Sequence, residues 1–216
     1  MKDLWSVIED QVFSVESTAE LFNPYASINP EFDREDATSI RRENLRRYVF
    51  DHEKGVALLL VAEAPGPWGC RFSGVPITSE SHLVDPNFPL SGRQSSLRDK
   101  PYTEYSAGIY WRLLSPYYDA IFTWNTVPLH PHDVDDPLSI RTPRQTEIEF
   151  FLPVMEKIMR AFNPQITLAV GRKAENALRR IGVDARYVRH PSQGGARLFE
   201  AGVLEAINEL GLLPSY

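Results

Sequence analysis

The apolar positions of this chain fall into two kinds of spacing, and the alternation between them predicts the fold. Leu4, Val7, Ile8, Val12 and Val15 recur at helical intervals and predict an amphipathic first helix. Two prolines and several turn residues in 22–30 predict an irregular wrap. The charged stretch 35–48, with Ile40, Leu45 and Val49 as its sparse apolar positions, predicts a surface helix. Residues 56–62 are an unbroken apolar run, as a parallel strand buried on both faces requires, and they end abruptly in Glu63-Ala64-Pro65-Gly66. Glycines and prolines punctuate the next stretch to about Tyr102, a loop long enough to be functional or disordered; its aromatic and apolar content favours function. Thr103 is placed to cap a helix running to about Leu114. Residues 120–127 predict a second strand, broken by Pro128, and 129–140 a polar loop. Thr142-Pro143-Arg144-Gln145 reads as a helix start, with Thr142 at the cap and Pro143 in the first turn. Ile148, Phe151, Leu152, Met155, Ile158, Met159 and Phe162 mark the buried face of that helix, which Pro153 is expected to kink or divide. Residues 165–170 predict a third strand, followed by a short helix on Ala174, Ala177, Leu178 and Ile181 that stops at Gly182. Residues 185–188 predict a fourth strand, and Leu198, Phe199, Val203, Leu204 and Ile207 a last helix. Strands alternating with helices predict an α/β fold, a three-layer α/β/α arrangement with a central four-stranded parallel sheet. Residues 1–54 are expected to form an N-terminal helical wrap and 55–216 the α/β core of a single domain.

Composition narrows the setting. A chain of 216 residues suits one domain with a real core. No apolar run approaches the roughly 20 residues a membrane span needs, and the acidic, amphipathic amino terminus lacks a signal-peptide core. Cys70 is the only cysteine, which excludes a disulfide framework and a Cys-rich metal or iron–sulfur site. These features predict a cytoplasmic protein, associated with the nucleoid if the source is bacterial. The net charge of −6 argues against a generally sticky nucleic-acid binder, but the charge is uneven. Residues 1–54 carry seven Lys/Arg against twelve Asp/Glu. Residues 171–199 carry Arg172, Lys173, Arg179, Arg180, Arg186, Arg189 and Arg197 against only Glu175 and Asp184. That imbalance suggests an acidic body with one basic face, although a merely solvated surface gives the same counts.

Candidate chemistry gathers at the polar strand ends, which hold Glu63, Asn125, Gly171 and His190. In open α/β sheets ligands bind outside the carboxyl ends of the strands. Taken singly, each has a plain structural reading as a turn, cap or strain-relieving residue. Taken with their loops they are more specific. Ala62-Glu63-Ala64-Pro65-Gly66, Gly69-Cys70-Arg71-Phe72-Ser73-Gly74, Trp124-Asn125, Val170-Gly171-Arg172 and His190-Pro191-Ser192 together resemble the uracil-DNA glycosylase superfamily, in the family's order and over residues 56–200.

The resemblance implies a fold and a set of roles. A damaged nucleotide would be extruded from DNA into a pocket. Phe72 would stack on the flipped uracil, and Asn125 would pair with its edge, an amide offering both donor and acceptor. The turn Glu63, Ala64, Pro65, Gly66 would present backbone amides to the base and, through Glu63, position the attacking water. His190 would donate to uracil O2 as the glycosidic bond breaks. Gly171, Arg172, Arg189, Ser192, Gln193 and Gly194 would contact phosphates, with Arg189, Gln193 and Arg197 as candidates to fill the gap left by the base. The implied activity is monofunctional excision of uracil to leave an abasic site, since no lysine in these motifs offers a Schiff base. The implied partner is uracil-containing DNA, and no metal or organic cofactor is called for; the oligomeric state stays open, with one basic face and a compact size favouring a monomer. Members with a Glu-Ala-Pro-Gly turn usually carry an iron–sulfur cluster on four cysteines, so its place here falls to other packing. The commonest uracil-excising class has an aspartate where this chain has Ala64, with Glu63 one residue earlier, and Ala62 stands where glycine is more usual. The alternatives are a glycosylase for another deaminated base, such as hypoxanthine or xanthine, and a non-catalytic uracil- or DNA-binding protein.

Three other features read as structural. His130-Pro131-His132-Asp133, with Asp135 and Asp136, suggests a metal, but the intervening proline favours a loop. Cys70 lacks a nucleophile signature and reads as packed. The glycines of 66–74 match neither a P-loop nor a dinucleotide fingerprint.

Overall fold

In chain order the elements are α1 (Lys2–Ile8), continued by a π-helical turn (Glu9–Phe13), β1 (Leu21–Phe22), α2 (Ala37–Asp51), β2 (Leu58–Ala62), α3 (Cys70–Ser73), α4 (Glu80–Leu83), α5 (Tyr105–Leu114), a 3₁₀ turn (Ser115–Ala120), β3 (Ile121–Asn125), β4 (His130–Pro131), α6 (Gln145–Phe162), β5 (Ile166–Val170), α7 (Arg172–Arg180), β6 (Arg186–Val188) and α8 (Ala196–Glu209). The structure is a computed structural model and describes residues 1–215. Four strands form one parallel sheet in the order β3-β2-β5-β6. Every residue of β2, β3 and β5 is buried, as the unbroken apolar runs require.

Phe122 of β3 stacks on Phe162 of α6, with ring centroids 4.1 Å apart. Thr123, the next residue, points to the other face, where its hydroxyl bonds Tyr110 of α5 and Tyr110 rests on Phe199 of α8. Helices therefore cover both faces, and the predicted α/β/α arrangement with a four-stranded parallel sheet is present. Leu4, Ile8, Val12 and Phe13 join the same core cluster as the strands.

Register sets the site. Ala62 pairs with Asn125, Val61 with Ala169, and Val170 with Val188, so Glu63, Asn125, Gly171 and Arg189 emerge along one rim.

Several local expectations differ from the structure. The stretch 63–102 holds two short helices, α3 and α4, rather than loop alone. Glu104, not Thr103, occupies the cap position of α5, its carbonyl accepting the Gly108 N–H at 3.1 Å. The start of α6 falls at Arg144 rather than Thr142, because Glu147 folds back to accept the Arg144 N–H at 2.7 Å and pairs with Arg141. Pro153 neither ends nor divides α6: it lies on the exposed side, while Phe151, Val154, Met155 and Ile158 hold the buried face in place. The His130–Pro131 segment, expected as loop, pairs antiparallel with Leu21–Phe22 of the wrap.

A buried ion cluster ties the wrap to the site. Asp33 binds both Arg41 of α2 and Arg71 of α3, and all three side chains are buried. Arg41 Nε also donates to Ser95 Oγ at 3.0 Å, and Ser95 Oγ donates to the Phe72 carbonyl at 2.7 Å. Nearby, the buried Glu80 carboxylate accepts the Ser95, Ser96 and Tyr102 amides and the Ser96 hydroxyl.

Candidate active site

Beyond the rim lies a cavity of about 280 Å³, near the lower end of small-ligand sites. Its wall is built from Ala62, Ala64, Gly66 and Pro67 of the first turn, Cys70 and Ile77 of the following loop, Glu104 and Ser106 of α5, Ile140, and His190, Ser192 and Gln193 of the last loop. The first turn is held from three sides. Thr126 and Val127 donate their amides to the Ala62 and Glu63 carbonyls at 2.8 and 3.0 Å, and His130 Nδ1–H donates to the Pro65 carbonyl at 2.8 Å. His130 is therefore a brace for the turn, and burial lowers its pKa to about 4. His132 bonds the Asp133 carbonyl through Nδ1, and no cluster of three or more metal-ligating side chains exists among the described residues.

His190 is oriented by its own loop. Its Nδ1 accepts the Ser192 amide at 3.2 Å and lies 2.7 Å from the Ser192 hydroxyl. A nitrogen that accepts an amide N–H is unprotonated, so in the neutral ring the proton sits on Nε2. Burial, reinforced by the charge of Arg189, holds the pKa below its ordinary value, so the ring is neutral at pH 7. Gly195 makes the turn possible, since a Cβ there would strike the His190 carbonyl oxygen. Among the described residues three non-glycines have positive φ, and two of them, Ile77 and Gln193, stand in the cavity wall, where backbone strain of about 1–3 kcal/mol each marks an over-determined site. The third, Asn163, ends α6 in the usual left-handed way.

The other predicted residues are distributed unevenly. Asn125 is buried beside the cavity, its Nδ2 held only by a long 3.6 Å contact to Cys70 Sγ and its Oδ1 without a partner. Glu63 is half-buried at the end of β2 and outside the cavity wall; burial raises its pKa and the charge of Lys173 opposes the rise. Phe72 is not brought to the cavity. Tyr102 stacks on its ring at 4.2 Å, the Arg71 guanidinium lies 4.1 Å from its centroid, and no surface is left for a base. The residue this loop places in the wall is Ile77, and the exposed aromatic of the loop is Trp68.

On the DNA-binding side, the Gly171 amide is used by the Val188 carbonyl at 3.0 Å, which takes it away from phosphates. Ser192 is engaged with His190. Arg172 pairs with Glu175 and lies over Tyr187 at 3.8 Å, while Arg179, Arg180 and Arg186 pair with Glu175, Glu149 and Glu209. Of the seven cations in 171–199, Lys173, Arg189 and Arg197 have no ion pair among the described residues. Gln193 and Gly194 are exposed at the rim. Sequence reasoning missed Glu104, Ile77 and Ser106, which reach the cavity only by tertiary packing. The residues do not fit an iron–sulfur cluster, because Cys70 is the only cysteine and its thiol is buried against Asn125.

Comparison with known proteins bears on the family and the fold. The family model of the uracil DNA glycosylase superfamily matches residues 52–216, and the chain belongs to that superfamily of DNA glycosylases. The crystal structure of wild-type SMUG2 from Pedobacter heparinus superposes with a TM-score of 0.59 at 15% identity, over 96% of this chain and 98% of that one. No curated protein matches the chain.

Proposed function

We propose that this protein is a monofunctional glycosylase that hydrolyses the N-glycosidic bond of uracil in DNA and leaves an abasic site. The observation that carries the reading is His190: a neutral ring in the cavity wall whose Nδ1 is occupied by Ser192, leaving Nε2–H as the donor. As the C1′–N1 bond breaks, its electron pair moves into the base and charge gathers on O2. A fixed neutral donor aimed at that oxygen stabilises the departing anion without adding a competing proton acceptor. Water, which we assign Glu63 to hold, then adds to C1′ and loses a proton, and the departing base anion gains one, leaving a C1′ hydroxyl and the neutral base. Asn125 supplies the amide for the base edge, since its weak contact to Cys70 is readily exchanged for one to a base carbonyl. Ile77 offers the apolar face, and Ala64 and Gly66 line the same wall. Lys173, Arg189 and Arg197, with the exposed turn Gln193-Gly194, supply the phosphate contacts.

The test is single-turnover excision on a labelled oligonucleotide carrying one uracil, in single-stranded and duplex forms, with alkali to reveal abasic sites. Wild type is expected to give alkali-labile cleavage, and His190→Ala to lower the rate about 10²–10³-fold, the scale of one lost oxyanion donor. Glu63→Gln is expected to lower excision with little change in DNA affinity. Binding without cleavage would replace this reading with a binding protein, and excision of hypoxanthine or xanthine alone would change the substrate.

A further inference from the structure

Glu104 is a carboxyl group in the cavity wall for which the scheme above has no use. Its backbone is fixed at the start of α5, where its amide donates to Ser79 Oγ at 2.8 Å. Its side chain has no hydrogen bond or ion pair among the described residues. The first turn is shaped around it: a Cβ on Gly66 would lie 2.7 Å from Glu104 Oε2, and one on Gly69 would collide with the same oxygen. The carboxyl also lies close enough to Cys70 for its charge to raise the thiol pKa, and Cys70 is the residue that Asn125 contacts. Glu104 and Asn125 therefore serve the same end of the cavity. Leaving a carboxyl without partners in such a place costs free energy unless a ligand supplies one.

We propose that Glu104 is a base-reading residue, whose carboxyl O–H donates a hydrogen bond to the exocyclic carbonyl of the extruded base, beside Asn125. The proposal rests on the glycosylase reading for the identity of the ligand. Deamination places a carbonyl where cytosine carries an amine, and a neutral carboxyl can donate to it. An ionised carboxylate only accepts, so it repels a carbonyl and favours an amine. Burial pushes the pKa of Glu104 up to about 7, so the donor form is populated at neutral pH and lost above it. Around it stand the Cys70 thiol, which burial keeps protonated, His190, whose pKa burial lowers, the Glu80 carboxylate, bonded to the Ser95 and Ser96 amides, and Tyr105, exposed on the same helix.

The experiment measures affinity for a single-stranded oligonucleotide with one 2′-fluoro-deoxyuridine, which resists cleavage, against the same strand with 2′-fluoro-deoxycytidine. Wild type, Glu104→Gln and Glu104→Ala are compared from about pH 6 to about pH 8.5. The wild-type preference for uracil is expected to fall about tenfold as pH rises, as a donor is replaced by a mismatched acceptor. Glu104→Gln, whose amide keeps a donor at every pH, is expected to hold its preference flat. Glu104→Ala is expected to show a weak preference at every pH. A flat wild-type profile, a preference that rises with pH, or a Gln variant as weak as the Ala variant would overturn the proposal. Because the probe is not cleaved, the two readings fail separately. Absent excision with this pH pattern removes the glycosylase function, and excision without the pattern removes the role of Glu104.

Discussion

At the residue scale, the site is controlled by which groups burial keeps neutral. His130 has a folded pKa of about 4 against an ordinary 6.5, because burial disfavours its charged form. Below about pH 6.5 the unfolded chain takes a proton that the folded ring refuses, so stability falls with falling pH until about pH 4. The contribution is roughly 3 kcal/mol. Glu104 acts with the opposite sign: its folded pKa is raised above 4.5, so its stability contribution is lost as pH rises towards about 7. The two partly cancel in the whole protein, and a variant separates them. Urea unfolding should show the stability gap between wild type and His130→Gln narrowing by about 2–3 kcal/mol from about pH 7 to about pH 4. A constant gap would show that His130 is not held neutral by the fold. None of this was legible in the histidines themselves, since a pKa depends on what packs around the ring. The segment His130-Pro131, expected as loop, instead pairs with Leu21-Phe22, and that pairing together with the bond to the Pro65 carbonyl fixes the ring.

At the scale of elements, the polar strand ends work because parallel pairing aligns their carboxyl ends, and short turns leave no slack. The first turn is braced by amides from the Asn125 loop and by His130, so its geometry is set by neighbours far away in the chain. The boundaries of α5 and α6 moved by one or two residues because a side chain closed a competing bond, as Glu147 does on Arg144. Pro153 illustrates the limit of a local rule. It denies a hydrogen bond to the Glu149 carbonyl, yet the buried stripe keeps α6 continuous. Pro153→Ala should therefore raise the unfolding free energy by about 1–3 kcal/mol, the regained bond outweighing the added entropy of the unfolded chain, as read from a urea midpoint. No gain would mean that solvent already satisfies that carbonyl.

At the scale of the molecule, the Asp33–Arg41–Arg71 cluster joins the wrap to the loop that closes the cavity. Asp33→Ala leaves two buried guanidinium groups uncompensated and should cost about 3–5 kcal/mol in denaturant unfolding. A loss below about 1 kcal/mol would show that water or relaxation replaces the carboxylate. The basic segment is smaller in effect than its count suggests, because four of its seven cations are paired on the protein's own surface. The salt dependence of DNA affinity should weaken by about 0.7–0.9 in log–log slope on Lys173→Ala or Arg189→Ala, and by much less on Arg172→Ala. Equal effects at all three positions would return Arg172 to the interface. The wrap and the sheet share one hydrophobic core.

By itself the sequence determined the four strands of the main sheet, their parallel arrangement and the residues at their ends, because burial on both faces writes an unbroken apolar run in three of them and a turn writes proline and glycine. It also carried His190, whose neighbours in the turn are its neighbours in sequence. Tertiary structure alone decided which side chains enter the cavity. Phe72 was withdrawn by Tyr102 and Arg71, Ser192 was turned onto His190, and Glu104 was carried in on a helix that begins some forty residues after the first turn. Such choices depend on contacts between residues distant in the chain, and no local periodicity or motif encodes a distance across a cavity.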